Sequence, residues 1–226
     1  MKQKYIFFLK RLFYYIHGEK FYKRLKYDWS NLPSRTEIIQ KIINKKNYKN
    51  YLEIGCDNDK NFSQINIENK IGVDPLKGGT LRMTSDDFFK ENKKNFDIIF
   101  LDGLHTYEQT IQDIDNSLKC INKDGVILIH DCLPKKIWNQ IVPRIYGHWN
   151  GDVWKAIVHS RTYDYADTFT CKADHGIGLI FKRKNSDQLI LTKNFKDLKF
   201  ADYYNNHKRF MNTIDYGDLD KIFDYN

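Results

Sequence analysis

The stretch Phe96-Asp-Ile-Ile-Phe-Leu-Asp102 contains a short apolar run, residues 98–101, that ends at the acidic Asp102. Three other apolar runs end in a similar way, at Gly55, at Asp74 and at Asp131. Such runs, separated by stretches of helical period, are typical of βαβ units with a sheet buried on both faces. Neighbouring parallel strands end at one edge, where ligands bind. We therefore expect Asp102 and Asp131 to lie close together.

The order of these runs predicts an α/β fold. We expect a Rossmann-like, seven-stranded, mostly parallel sheet whose last strand is antiparallel, with helices on both faces. A tight turn joins the last two predicted strands, and strands joined so closely must be antiparallel. The predicted strands are 50–54, 70–74, 80–83, 96–102, 125–130, 163–171 and 175–183. The first predicted helix begins at residue 34 or 36 and ends at 43, and the others cover 107–121, 134–142 and 152–160.

The length of 226 residues, of which 41% are hydrophobic, allows one substantial core with terminal additions. We divide the chain into a basic, aromatic N-terminal helical segment (1–33), a main domain (34–183) and a polar C-terminal extension (184–226). The four cysteines are scattered and the start of the chain does not resemble a secretion signal. Reduced thiols and a cytoplasmic location are therefore predicted.

The net charge of +8 is concentrated at the start of the chain. Residues 1–50 carry +10 and the remaining residues carry −2. Within residues 1–27 basic and aromatic side chains alternate, which is typical of a helix that lies on an anionic membrane. Such a contact would place the protein at the inner membrane face. The alternative is that this segment packs on the main domain or on a second subunit in a homo-oligomer. No known nucleic-acid-binding motif is present, and nucleic acid is not a predicted partner.

Five motifs in order resemble the class I S-adenosylmethionine-dependent methyltransferases. They are Tyr51-Leu-Glu-Ile-Gly55, Ile71-Gly-Val-Asp-Pro75, Thr84-Ser-Asp-Asp87, Phe96-Asp-Ile-Ile-Phe-Leu-Asp-Gly-Leu-His105 and Gly125-Val-Ile-Leu-Ile-His-Asp131. The resemblance covers about residues 48–183 and is to the branch found in bacterial glycan and natural-product clusters. Where the family often has G-x-G-x-G, this chain has Gly55-Cys-Asp-Asn-Asp59. The missing glycines remove a phosphate cradle, which S-adenosylmethionine does not need.

The resemblance implies that S-adenosylmethionine is the cofactor. Glu53 and Gly55 would meet its methionine part, and a residue without Cβ lets the backbone approach a ligand. Asp74 would bind the ribose hydroxyls, although it could instead form a turn before Pro75. Ser85 and Asp86 match the position that meets the adenine amino group, but the same residues could start a helix.

The motif Asp102-Gly-Leu-His105 carries the predicted chemistry, since a carboxylate at the tip of a buried strand is costly without partners. Asp102 is placed beside the cofactor, and with Asp131 it could bind a divalent cation such as Mg²⁺. The resembled metal-dependent enzymes often have another oxygen ligand after the second acid, whereas Cys132 stands here. His105 is the predicted base that activates a hydroxyl, with His130 or His175 as alternatives.

The stretch Trp149-Asn-Gly-Asp-Val-Trp-Lys155 follows the fifth predicted strand, 125–130, and acceptor-binding insertions lie after this strand in the resembled family. Trp149 and Trp154 could stack on a sugar face while Asp152 and Lys155 bind its hydroxyls. The alternative is an ordinary helix that starts at Asp152 with Trp154 packed inward. Residues 174–178 are interpreted first as hairpin geometry.

Together these features predict an O-methyltransferase that acts on a hydroxyl of a sugar or glycan-like acceptor, assisted by a divalent metal and a histidine base. One alternative is methylation of a small phenol or polyketide by the same centre. Another is a non-catalytic nucleoside-binding subunit associated with a membrane, which the missing glycines and the basic N-terminal segment suggest.

Overall fold

The structure is a computed structural model that describes residues 2–145 and 147–223, with side chains from residue 5 onward. Parts of the predicted terminal segments, residues 1 and 224–226, lie outside it. The helices are α1 Lys2–His17, α2 Arg35–Lys46, α3 Ser85–Glu91, α4 Tyr107–Cys120, α5 Ile137–Gln140, α6 Val153–Ser160, α7 Phe200–Met211 and α8 Leu219–Ile222. The strands are β1 Asn50–Ile54, β2 Asn69–Val73, β3 Phe96–Leu101, β4 Ile121–Ile129, β5 Asp167–Cys171, β6 Ile177–Phe181 and β7 Thr213–Ile214.

The strands form one seven-stranded sheet in the order β2-β1-β3-β4-β6-β5-β7. Strand β6 is antiparallel to β4 and β5, and every other pairing is parallel. Helices cover both faces, so the predicted Rossmann-like architecture is confirmed. The antiparallel strand is the last one that the sequence predicted, but β7 follows it in the chain.

Alternate residues of the central strands feed two separate cores, as the period of two in a strand requires. Ile98 and Phe100 pack on the face that carries α2 and α8. Ile99 and Leu101 pack on the opposite face, which carries α3, α4, α6 and α7. Burying each such side chain contributes about 1.5–3 kcal/mol, so the apolar runs fix both the sheet and its register.

The predicted strand at 80–83 is wrong. Leu81 forms only an isolated bridge to Val73, because Gly78 and Gly79 have positive φ angles and turn the chain back. The seventh strand is instead β7, which pairs with β5. The C-terminal extension thus completes the sheet.

Two helix predictions also differ from the structure. Helix α2 begins with the capping box of Ser34 and Glu37 but continues three residues beyond the predicted end at Ile43. The predicted helix 134–142 shrinks to α5, after which the backbone N–H groups of Asn150 and Gly151 donate to the Asn139 carbonyl. The chain here folds back on itself instead of forming a longer helix.

One part of the N-terminal segment packs against the rest of the chain, whereas helix α1 is largely exposed to solvent. Phe21 packs against the rings of Phe200 and Tyr204, and the Leu25 N–H donates to the Lys135 carbonyl. Helix α1 instead exposes most of its large apolar side chains, which are Tyr5, Ile6, Phe8, Leu9, Leu12, Phe13, Tyr15 and Ile16. Within the described residues, α1 and the other helices are too short or too polar to cross a membrane.

Candidate active site

The register of the sheet assembles the site at one edge. Ile54 of β1 pairs with Leu101 of β3, which pairs with Ile129 of β4. The next residues along the three strands, Gly55, Asp102 and His130, therefore lie side by side. Antiparallel β6 begins at the same edge, since Gly178 pairs with Ile129, and so the turn at 172–176 joins the site.

Two carboxylates and two imidazoles meet at this edge. Asp102 Oδ1 lies 3.2 Å from His105 Nε2 and 3.3 Å from His130 Nδ1. Asp131 Oδ2 lies 3.5 Å from His105 Nδ1 and 3.4 Å from His130 Nδ1. The expectation that Asp102 and Asp131 converge agrees with this geometry, although 29 positions separate them in the sequence.

Mutual pairing sets the ionisation of the cluster. Burial alone would raise the pKa of Asp102, but His130, His105 and Arg35 together hold it well below its usual range. Burial would lower the pKa of His130, but the two neighbouring carboxylates outweigh it and raise that pKa well above the ordinary value. The pKa of His105 is raised for the same reason. The carboxylates are thus charged, and the cluster needs positive charge to balance them.

Arg35 and Asp174 complete the cluster and were not predicted. The Arg35 guanidinium donates to Asp102 and lies 3.0 Å from His130 Nδ1, while its backbone N–H donates to Asp174 at 2.6 Å. Arg35 carried no sequence signal, because it looks like an ordinary first residue of α2. Asp174 could have been found, since a hairpin turn before an antiparallel neighbour of β4 must lie at the same edge as Asp131.

Cys132 and His130 lie next to Asp131 in the chain, and both are buried. Cys132 is fully buried and its thiol donates to the Ile129 carbonyl at 3.3 Å, so it points into the core and away from the carboxylates. His130 is almost fully buried as well, at 4% exposure. His105, which lines the cavity at the sheet edge, remains the most accessible candidate base of the Asp102–His105–His130 group.

Two glycines let the backbone close around the centre. Gly55 has φ +88° and a Cβ there would lie 2.3 Å from the Asp102 carbonyl oxygen. Gly151 has φ +63°, and a Cβ there would overlap the backbone of His105. Both positions require glycine for packing against a site residue, which differs from the close ligand approach expected at Gly55.

A cavity of about 650 Å³ opens beside the cluster and is lined by polar side chains. Glu53 lies in its wall and is almost completely buried, and it accepts hydrogen bonds from Tyr51 and from Asn61 at 2.8 Å. Burial raises the pKa of Glu53 to about 7. Such a volume falls within the range of small-ligand sites.

Asp74 is held in a turn in this structure. One of its carboxylate oxygens accepts the N–H groups of Leu76 and Lys77, and the other accepts the N–H of Asp57 at 2.9 Å. These three bonds correspond to the turn alternative. Ribose binding by Asp74 stays a prediction and requires that some of these bonds open.

Ser85 and Asp86 occupy the helix start that was the alternative to adenine binding. Thr84 caps α3, and Ser85 is its first residue. The Gln109 side chain donates to Ser85 at 3.2 Å and to Asp86 at 2.9 Å. Contact with adenine stays a prediction.

The four predicted acceptor residues separate into different roles. The Trp149 ring stacks on His105 with centroids 5.2 Å apart, and its carbonyl lies 3.2 Å from His105 Nδ1. Trp154 is fully buried against Tyr203, so acceptor stacking by Trp154 is wrong and the inward-packing alternative holds.

Asp152 and Lys155 have internal partners. Asp152 accepts the Tyr107 N–H at 2.7 Å and thereby supports the start of α4, not of its own helix. Lys155 lies 3.2 Å from Asp152 and donates to the Lys196 carbonyl. Neither lines the cavity beside the cluster, and their contact with an acceptor stays a prediction.

Residues 42–132 match a family model described as a methyltransferase domain. The matched stretch covers less than half of this chain. It contains β1 to β4 and ends directly after Asp131 and Cys132, so it includes both carboxylates of the cluster.

Solved structures of this fold include methyltransferases. The SAH-bound methyltransferase PaMTH1 of Podospora anserina superposes with a TM-score of 0.54 at 14% identity over 68% of this chain and 80% of that one. An O-methyltransferase from Bacillus cereus in complex with SAH gives 0.51 at 13% over 70% and 84%. Uncharacterized protein R132 of Acanthamoeba polyphaga mimivirus is 26% identical over 55% of this chain and 73% of its own length.

Proposed function

We propose that this protein is an S-adenosylmethionine-dependent O-methyltransferase that acts on a hydroxyl of a sugar or glycan-like acceptor. The observation that carries the proposal is the meeting of Asp102, His105 and Asp131 at the carboxyl edge of the sheet, beside a polar cavity. A hydroxyl needs both positioning and activation to become a nucleophile, and this edge provides groups for both.

The cavity at the sheet edge is the proposed cofactor site. Its volume of about 650 Å³ suits a ligand of this size, and the two solved relatives of the same fold are SAH complexes. Glu53 and Gly55 would hold the methionine part. Asp102 lines the same cavity, whereas Asp74, Ser85 and Asp86 do not. These three residues are the remaining proposed contacts, for a cofactor that extends beyond the cavity, and Asp74 requires the opening of its turn.

The carboxylates fit a divalent cation such as Mg²⁺. Ligand atoms of Asp102, His105 and Asp131 all lie within 4.8 Å of one another, and the balancing charge is supplied in this structure by Arg35 and His130. A bound cation would polarise the acceptor hydroxyl. Asp102 and Asp131 are the proposed metal ligands.

His105 is the proposed base. The Trp149 carbonyl, 3.2 Å from Nδ1, can only accept a hydrogen bond and so holds a proton on that nitrogen. The nitrogen that gains or loses a proton is then Nε2, which faces Asp102 at 3.2 Å. Asp102 thereby orients the ring and stabilises its charged form once the hydroxyl proton has been accepted.

Turnover tests the proposed reaction most simply. We expect methyl transfer from S-adenosylmethionine to at least one member of a panel of nucleotide sugars and glycan fragments. Treatment with EDTA should reduce the rate at least about tenfold, since a cation held by these carboxylates would stabilise the alkoxide, and added Mg²⁺ should restore it. A rate that chelation leaves unchanged would contradict the cation, and transfer only to phenols would contradict the glycan acceptor.

Helix α1 is proposed to contact an anionic membrane from the cytoplasmic side. Its exposed apolar side chains lie among Lys10 and Arg11, and α1 contains no acidic residue. Apolar insertion combined with attraction of basic side chains, about 1 kcal/mol for each, suffices for peripheral binding. A homo-oligomer that covers the same apolar side chains is the alternative partner.

Vesicle binding tests this membrane contact. The native chain is expected to sediment with anionic vesicles and to be released by high salt, because surface attraction is screened. The double variant Lys10→Glu, Arg11→Glu should bind at least about tenfold more weakly. The matched variant Lys119→Glu, Lys123→Glu, which reverses two exposed charges elsewhere, should bind like the native chain. Equal binding by both double variants would contradict the proposal.

A further inference from the structure

A second group of metal-ligating side chains lies beside the proposed Mg²⁺ ligands Asp102 and Asp131. His148, His175 and Asp131 present ligand atoms that are all within 4.8 Å of one another. The His148 and His175 ring centroids are 4.1 Å apart, and His148 Nε2 lies 3.8 Å from Asp131 Oδ1. All three residues line the same cavity, so a cation could reach them from solvent.

The two oxygens of Asp131 face different groups. Oδ2 is turned toward His105 and His130, whereas Oδ1 is turned toward His148 and accepts a hydrogen bond from the Asn150 amide at 2.8 Å. A carboxylate in this position can bridge two cations, as carboxylates do in two-metal sites whose ions lie about 3.5–4 Å apart. Asn150 is itself buried and fixes the orientation of this carboxylate.

The donor set distinguishes this group from the proposed Mg²⁺ ligands. Two imidazoles with one carboxylate oxygen suit a borderline transition ion, while Mg²⁺ prefers oxygen alone. We propose that His148, His175 and Asp131 Oδ1 bind a second divalent ion of the Zn²⁺ or Co²⁺ type. The ion would connect residues 147–152, which include His148, to the 172–176 turn, which carries His175.

Simple ring packing is the competing explanation. The Trp29 and His175 rings pack edge to face with their centroids 6.0 Å apart, and the two histidines could pack with Trp29 without any ion. Packing alone would not place a carboxylate oxygen within reach of both rings. It also predicts no affinity for metal, which makes the two explanations separable by binding.

Binding of Co²⁺ to the full chain, followed by visible absorption in excess Mg²⁺, tests the proposal. We expect one equivalent of Co²⁺ to bind to the untagged native protein. His148→Ala and His175→Asn should each weaken binding at least about tenfold. Asparagine is chosen at position 175 because φ there is +64° and asparagine tolerates that conformation. His17→Ala, which removes an exposed histidine outside the site, should bind like the native chain.

Asp102→Asn separates this proposal from the proposed catalytic cation. That variant removes one proposed Mg²⁺ ligand but keeps Asp131, His148 and His175, so it should still bind one equivalent of Co²⁺. Circular dichroism verifies that each variant is folded. Native-like Co²⁺ binding by folded His148→Ala and His175→Asn, or no binding by the native chain, would overturn the second site. Loss of turnover without loss of Co²⁺ binding would concern the proposed function alone.

Discussion

Replacing His105 by alanine is expected to lower kcat for methyl transfer by about 100- to 10,000-fold, the usual contribution of a positioned general base. The imidazole is held between Asp102 and the Trp149 carbonyl, so no other side chain can take its position without rearrangement. Affinity for S-adenosylmethionine should fall far less than kcat, because His105 lines the cavity but is not among the proposed cofactor contacts. The measurement is steady-state kinetics on the best acceptor of the panel.

Two comparisons make the His105 result specific. His105→Gln keeps a polar side chain of similar reach but cannot accept the proton, and it should be as slow as the alanine variant. His17→Ala should be as fast as the native chain. Full activity of His105→Ala would show that another base, or none, is needed. A lower rate for His17→Ala would point to a general effect of histidine removal instead.

Replacing Gly55 by alanine is expected to destabilise the fold by roughly 2–5 kcal/mol. A left-handed backbone costs about 1–2 kcal/mol for a residue with a Cβ, and overpacking costs about 1–3 kcal/mol more. The contact at issue is backbone against backbone, since the new Cβ would lie 2.3 Å from the Asp102 carbonyl oxygen. Flexible side chains therefore cannot relieve it.

Urea unfolding measures the Gly55 effect in the absence of any ligand. Gly217→Ala is the matched control, because nothing lies within 4 Å of a Cβ at that position. It should change the free energy of unfolding by less than about 1 kcal/mol. If Gly55→Ala is as stable as the native chain and loses only cofactor affinity, then close ligand approach, and not packing on Asp102, explains this glycine.

The parts of the site that the sequence predicts are those fixed by strand ends. Asp102 and Asp131 each follow an apolar run that forms a strand. Because these strands pair in parallel, both residues lie at the same edge of the sheet. The position of His105 at this edge follows because it stands three residues after Asp102, just beyond the strand. In these cases local pattern and global topology agree.

The parts that the sequence does not predict depend on long-range contacts. Arg35 reaches Asp102 across 67 positions, and nothing in a helix start distinguishes a residue that will face a remote carboxylate. The sequence leaves Trp154 open between acceptor stacking and inward packing, and only the contact with Tyr203 of α7 selects the inward position. Strand β7 has only two residues, too few for a periodic pattern.

The central claim is that the cavity beside Asp102 and His105 binds the methyl donor. Isothermal titration calorimetry of the full chain with S-adenosylmethionine tests it most directly. We predict one binding event per chain, and competition by S-adenosylhomocysteine for the same site. The absence of heat at about 1 mM ligand, which would mean binding weaker than about −4 kcal/mol, would contradict the account.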